Sequence, residues 1–330
     1  MHGLEDESPD TGHRTVDPAP ASMSDELAVA LYEHMVLCRA LDERLVALQK
    51  DGGIASHSSA LGEEAAILGA VAAMHDDDWV FPGSREFGAA LWRGMPLAAY
   101  THHVHGTARD VAHGRNAADP PFWKAARVAS VSPLVGTHIG HAVGAAWAAR
   151  IRKAPVAALV FFGEGATSSA DFHTGLNFAG VTRAPIVALC RNNGFATSTP
   201  SSRQTASAGF AVKAVAYGLH GVKVDGTDAV AVLSVVREAR ARAMAGLGGT
   251  LVEAIVPPVD RPDALVRMRL HLESRGAWDA AREARLTTEV AVDVARALAD
   301  AASAGPPARE TIFEDVYAEL PWHLREQRDA

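Results

Sequence analysis

One acid, one amide and one guanidinium stand out by type and by placement. Glu164 sits between two glycines in Gly163-Glu164-Gly165, and Asn193 follows far downstream in Arg191-Asn192-Asn193-Gly194. A carboxylate, an amide oxygen and a loop carbonyl at Phe195 make a hard oxygen set. Mg²⁺ prefers such a set and completes it with phosphate oxygens and water. Arg191 adds a fixed positive fork suited to phosphate.

Residues this far apart can act together only if the fold joins them, and the flanking pattern does so. Pro155 to Phe162, PVAALVFF, is a continuous apolar run without helical period, which suits a strand buried on both faces. The two glycines permit a tight turn that leaves Glu164 exposed at the strand's C-terminal end. Thr167, Ser168 and Ser169 can cap a helix carrying Phe172, Leu176 and Ala179 on one face, with Gly180 at its end. Pro185 to Cys190 is a second buried strand. Short connections make the two strands parallel and put both C-terminal ends on one sheet edge. Open sheets of this kind bind ligands there. The pattern therefore predicts that Glu164 and Asn193 meet. The plainer alternative is a glycine turn and an asparagine-rich loop in an ordinary α/β domain.

The chain has 330 residues, 48% of them hydrophobic, enough for a sizeable core. A net charge of −8 argues against nucleic acid or an anionic membrane as the main partner. Any phosphate site must come from local arginines. Cys38 and Cys190 give neither a disulfide framework nor a metal-ligand spacing, and Cys190 is expected to pack in the core. No apolar run approaches the roughly 20 residues of a membrane helix. Residues 1–23 are acidic and Pro-rich, unlike a signal or transit peptide. They are expected to form a disordered arm, and the protein is expected to be cytoplasmic.

The remaining elements follow in order. Leu31, Met35, Cys38, Leu41, Leu45 and Leu48 give helical spacing from Ser24 to Lys50, stopped by Gly52-Gly53. A second helix starts at about Gly62, where Glu63 and Glu64 read as first-turn acids favoured by the helix dipole. Trp79-Val80-Phe81 is a short strand before Ser84-Arg85-Glu86. Residues 101–130 show no clear period. His102, His103, His105 and His113 have no ligand spacing and are expected to be solvated. Val131 to Trp147 reads as a loop entering a helix packed closely through Gly140, Gly144, Ala145 and Ala146. Val222 to Val224 is a strand, Asp228 caps a helix to about Ala245, and Leu251 to Val256 is another buried strand. Helices are expected over Asp263 to Ser274 and Asp279 to Ala302. The fold class is α/β: a doubly wound parallel sheet flanked by helices. Residues 24–260 form that domain and residues 261–330 a helical extension.

The longer text, GEGATSSADFHTGLNFAG with RNNGFATSTP, resembles the diphosphate–Mg²⁺ motif of thiamine-diphosphate enzymes. More closely, it is similar to the α subunit of the 2-oxoacid dehydrogenase first component (E1), of pyruvate or branched-chain type. GEEAA, SREFG, VSPLVGTHIGHAVGAAW, KVDGTDAVAV, TLVEA and TIFEDVYAELPWHL extend the resemblance from about residue 24 to 327. It implies a thiamine-diphosphate-binding fold with helical extensions, the C-terminal one packing on the domain and on partner subunits. It implies cofactor contacts at Arg85, Ser132, Leu134, Gly163, Glu164, Gly165, Ala166 and Arg191. Mg²⁺ would be held by Glu164, Asn193 and the Phe195 carbonyl. The implied activity is oxidative decarboxylation of a 2-oxoacid with acyl transfer to the lipoyl group of an E2 acyltransferase. An E1 β subunit would complete the site in an α2β2 heterotetramer.

The sequence also departs from that pattern. Ser84 replaces an aromatic residue. No histidine follows Gly114-Arg115 within NAADPPFWK. After the strand ending at Val256, where the resemblance implies a long histidine-bearing loop, the text is only PPVDRPD. That stretch holds no Ser, Thr or Tyr, so the loop phosphorylation known in some relatives is not expected. His271 falls on the next helix and is no match. The resemblance thus assigns no catalytic residue within this chain. Two further readings follow: a non-catalytic or regulatory paralogue, and an acetoin-type thiamine-diphosphate enzyme drawing its acid/base from elsewhere.

Overall fold

The computed structural model describes residues 23–116, 119–256, 263–314 and 316–330. The expected arm, residues 1–23, lies outside that set except for Met23, which is buried. So do Pro257 to Pro262, where the shortened loop falls.

The elements in chain order are α1 (Asp25–Lys50), α2 (Glu64–Ala72), β1 (Trp79–Phe81), α3 (Phe87–Trp92), α4 (Leu97–His105), α5 (Thr137–Ile151), β2 (Ala158–Gly163), α6 (Ala170–Thr182), β3 (Ile186–Asn192), β4 (Phe195–Ala196), β5 (Thr199–Pro200), β6 (His220–Asp225), α7 (Ala229–Met244), β7 (Thr250–Ile255), α8 (Ala264–Ser274), α9 (Ala280–Ser303), α10 (Thr311–Glu314) and α11 (Trp322–Asp329). Short 3-10 segments at Glu164–Ser168 and Ala211–Tyr217 matter for the site.

Five strands form one parallel sheet in the order β1-β2-β3-β7-β6, and β4 and β5 make a small hairpin beyond it. The apolar runs are unbroken because both faces are covered. Leu159, Phe161, Val187, Leu189, Val252 and Ala254 enter one core with α1, α2 and α7. Their alternating neighbours Ala158, Val160, Phe162, Ile186, Ala188 and Cys190 enter the other with α5 and α6. The expected doubly wound sheet is therefore present. Helices α8 and α9 pack on α1, and α9 also on α4.

Caps fix the helix starts as the sequence predicts. Ser24, Ser169, Asp228, Asp263 and Asp279 each accept a first-turn N–H. Three expectations need correction. Gly180 does not end α6. The helix runs to Thr182, and Arg183 takes the left-handed position with φ 46°. Gly180 is instead where the carbonyl of Tyr217 presses on the helix, in the space a Cβ would fill. Gly140 and Gly144 do not pack closely either. A Cβ at either would meet nothing, and α5 packs through Ile139, Ala142, Val143 and Ala146.

The third correction concerns the histidines. His102 and His103 are buried on α4, not solvated. His102 lies against Thr107 at 2.9 Å and Asp300 at 3.0 Å, and His103 against Asp110 at 3.1 Å. Polar partners supplied by other segments let imidazoles fill core positions, which hides the helical period. His105 and His113 are half-buried.

Substituting Gly180 by Ala should destabilise the protein by about 1–3 kcal/mol or more, because the clash is with backbone and cannot be relieved by a rotamer. Urea unfolding checks this. A Gly140→Ala control should not destabilise; a mid-helix glycine replaced by alanine in open space gains a few tenths to about 1 kcal/mol.

Candidate functional site

The C-terminal ends of β2 and β3 lie side by side, with Gly163 paired to Arg191 in register. Beyond them the chain turns into Glu164–Ser168 on one side and Asn193–Ala196 on the other. Gly165 is needed for their approach, since a Cβ there would sit 2.7 Å from the Ala196 Cβ. Gly194 turns the second segment with φ 88°. Asn192 Oδ1 accepts from Gly194 N, and Asn193 Oδ1 from Phe195 N, both at 2.9 Å. These side chains reproduce the hydrogen bonding of a turn and hold the loop against the strand end.

The result is an open cleft of about 380 Å³. All residues singled out from the sequence line it: Arg85, Ser132, Leu134, Gly163, Glu164, Gly165, Ala166, Arg191, Asn193 and Phe195. Leu134 and Phe195 stand on its rim, largely exposed, together with Val135. Ser132 Oγ accepts from Leu134 N at 3.2 Å and shapes the loop entering α5.

Glu164 is not exposed as the glycine turn suggested: packing at the strand end leaves it only 2% exposed, and its Oε1 finds no hydrogen-bond partner among the described residues. Burial pushes its carboxyl above the ordinary range. Its own backbone amide, the Gln204 side chain and the Asn193 backbone amide pull the other way and lose. A buried carboxylate without its full complement of partners is costly, and a cation beside it removes that cost. Asn193 Oδ1 keeps a second lone pair, and the Phe195 carbonyl is close in the chain. One carboxylate with amide and carbonyl oxygens fits Mg²⁺ better than a transition metal. No three His, Cys, Asp or Glu side chains gather as a metal cluster among the described residues.

The arginines are arranged differently from the sequence expectation. Arg191 is buried, and its guanidinium is not a free fork. It pairs with Glu63 through Nη1 and with Glu86 through Nη2 at 2.5 Å. Burial alone would lower its pKa, but Glu63 and Glu86 raise it above the usual arginine value. Arg85 donates to the other oxygen of Glu63 at 2.8 Å and is 41% exposed, so it can still swing to a ligand.

Glu63 is thus no dipole-stabilised surface acid. It is buried, lines the cleft and joins two arginines. Glu64 is buried too and pairs with Arg39 at 2.5 Å. None of these pairings has a local signature, because Arg39, Arg85 and Arg191 come from other segments. The signal available was a single arginine at the end of each of two strands, Arg85 shortly after Phe81 and Arg191 in Arg191-Asn192-Asn193-Gly194. His138, overlooked in the sequence, also lines the cleft. Its Nε2 bonds the Phe161 carbonyl at 2.6 Å, and burial lowers its pKa, so it is neutral near pH 7.

Residues 32–256 match the family model described as dehydrogenase E1 component. Among similar proteins, the mitochondrial 2-oxoisovalerate dehydrogenase subunit alpha 2 of Arabidopsis thaliana is 33% identical over 340 residues, covering 96% of this chain and 72% of the relative. The mitochondrial 2-oxoisovalerate dehydrogenase subunit alpha of Bos taurus is 34% identical, covering 92% and 72%. The pyruvate dehydrogenase E1 component subunit alpha of Staphylococcus aureus is 32% identical, covering 92% and 86%.

A raised pKa at Glu164 has a definite consequence for stability. The stabilisation belongs to the protonated acid; it is complete below the unfolded-state value and lost as pH rises through the folded value. Without metal at neutral pH, ionised Glu164 therefore costs stability. Glu164→Gln should melt higher than the parent at about pH 7.5, and the gain should fade as pH falls towards the unfolded-state glutamate value of about 4.3. Thermal melts of metal-free protein check this; an equal or lower melting point at neutral pH would mean the carboxylate is already compensated.

Proposed function

The chain belongs to the dehydrogenase E1 component family, as an α subunit of a 2-oxoacid dehydrogenase, and on that premise we propose that its cleft holds thiamine diphosphate through Mg²⁺. The observation that carries this reading is the meeting of Glu164 and Asn193 at adjacent strand ends, in one cleft with Arg85 and Arg191. Glu164, Asn193 and the Phe195 carbonyl would hold the metal. Arg85 would turn from Glu63 towards the diphosphate. Arg191 would act at short range while its charge is balanced by Glu63 and Glu86. Gly163, where a Cβ would meet nothing, leaves room for the ligand to approach the backbone, and Gly165 and Ala166 would line it. Ser132 and Leu134 would face the ring portion. When bound, the cofactor supplies the electron sink for loss of CO₂ from a 2-oxoacid.

An open cleft edged by exposed Leu134, Val135 and Phe195 supports a second chain as its other wall. We assign that wall to a β-type subunit in an α2β2 assembly, with the acyl group passing to a lipoyl arm of an E2 acyltransferase. Residues 24–260 would carry the cofactor, and residues 261–330 would pack on that domain and on neighbouring subunits.

A second reading is favoured by the cleft's own inventory. The titratable side chains lining it are Glu63, Arg85, His138, Glu164 and Arg191. Glu63 and the arginines are ion-paired, and Glu164 is the candidate metal ligand. Among the described residues, only neutral His138 remains for acid–base work. A cofactor-binding paralogue that does not decarboxylate is the alternative.

Calorimetry of the chain with its β partner, thiamine diphosphate and Mg²⁺ tests the binding reading. Outer partners of metal ligands cost roughly 10–100-fold in affinity when removed, so Glu164→Ala should lose at least that much. No heat with the parent, or unchanged affinity in the variant, rejects the reading. Decarboxylation by the reconstituted assembly separates the two alternatives: turnover within roughly 1–10³ s⁻¹ excludes the inert paralogue, and tight cofactor binding without turnover establishes it.

A further inference from the structure

The two arms of the candidate metal site are tied together behind the cleft by residues outside it. Glu253 on β7 is 1% exposed. Its Oε1 accepts from Asn192 Nδ2 at 2.7 Å. Its Oε2 accepts from the backbone N–H groups of Phe210 and Ala211 at 3.0 and 2.9 Å. Asn192 in turn fixes the Gly194 N–H, so the carboxylate sets the turn that presents Asn193 and Phe195.

The same segment reaches the other arm. Lys213 projects from Ala211–Tyr217 and donates from Nζ to Thr167 Oγ1 at 3.0 Å, at the far end of the turn that begins with Glu164. Its ammonium also lies over the Phe172 and Phe210 rings, at 5.7 and 5.2 Å from their centroids. Burial lowers its pKa.

Glycines seat the segment against its supports. A Cβ at Gly180 would hit the Tyr217 carbonyl, one at Gly221 the Ala211 carbonyl, and one at Gly209 would lie 3.0 Å from Glu253 Oε2. Contacts this close on three sides leave the segment little freedom to shift.

We propose that the Ala211–Tyr217 segment is a brace that sets the spacing of the two oxygen-bearing arms, with Glu253 and Lys213 as its positioning residues. The inference rests on the reading of Glu164, Asn193 and Phe195 as metal ligands. Neither Glu253 nor Lys213 touches the metal position. They act through Asn192 and Thr167, as outer partners orient direct ligands elsewhere.

The test uses the full chain with its β partner and thiamine diphosphate, with Mn²⁺ as a spectroscopic stand-in for Mg²⁺, and counts free Mn²⁺ by electron paramagnetic resonance. Asn192→Ala cuts the tie at a half-buried position. Glu253→Gln keeps an oxygen for the Phe210 and Ala211 amides but presents an amide to Asn192. Each should weaken Mn²⁺ binding roughly 10–100-fold; Asn192→Ala should also lower the metal-free melting temperature, because Glu253 Oε1 loses its donor, so affinities are compared well below the melting temperature of each variant. The double variant should lose no more than the worse single one, because both cut one link. Lys213→Met, which cannot donate to Thr167, should weaken binding independently of them.

Parental Mn²⁺ affinity in Asn192→Ala and Glu253→Gln, with binding still lost in Glu164→Ala, overturns the brace and leaves the metal site standing. Additive losses in the double variant also overturn it, since they indicate two unrelated defects. Absence of Mn²⁺ binding by the parent assembly overturns the site and the brace together. Should Glu253→Gln fail to fold, Asn192→Ala and Lys213→Met carry the test alone.

Discussion

A carboxylate is buried at a sheet edge without the partners it needs, and the rest of the site is arranged around that fact. Glu164 is nearly inaccessible, with one oxygen unsatisfied among the described residues. Such a group is tolerated only where the surrounding structure holds it in place. The hold comes from the parallel register of β2 and β3, which fixes Gly163 beside Arg191. It comes also from Gly165, whose missing side chain lets the turn lie against the hairpin. On the proposed reading a metal ion would resolve the cost, and the instability of the ligand-free acid and the affinity for a cation would share one cause.

The central sheet and its ligand edge were legible because they depend on local rules. PVAALVFF and PIVALC lack alternation since both faces are covered, and the residues between them carry a cap and a helical face. Parallel pairing then follows from the connection, and convergence of Glu164 and Asn193 follows from parallel pairing. The caps at Ser169 and Asp228 were readable for the same reason: each is decided by the three residues after it.

What could not be read depends on pairing between distant segments. Glu63 is three residues from Ala66 in the chain but owes its burial to Arg191, far away in sequence. His102 is held by Asp300 near the end of α9. Nothing within α4 shows that a histidine there is a core residue, since the partner that satisfies it comes from a helix packed on top. Gly180 shows the converse. Its local reading as a terminator is reasonable, yet a carbonyl from the 3-10 segment decides its identity. Composition reports that a residue is small or charged; only the packed neighbours report why.

The charge arrangement beneath the cleft bears on how an anion is received. Two carboxylates, Glu63 and Glu86, face Arg191, and Glu63 also holds Arg85. Counted as formal charges, the four groups cancel. A buried guanidinium left unpaired would cost several kcal/mol, so this neutrality is what allows Arg191 to stay at the strand end. The same neutrality means that a diphosphate gains little from long-range attraction to the pair. On the proposed reading its binding would draw on a metal, which would bring positive charge to Glu164, and on the partly exposed Arg85, which can exchange one carboxylate for a phosphate. Metal and diphosphate should therefore enter as a unit: the cation needs the phosphate oxygens to complete its shell, and the phosphate needs the cation because the arginines are already spoken for.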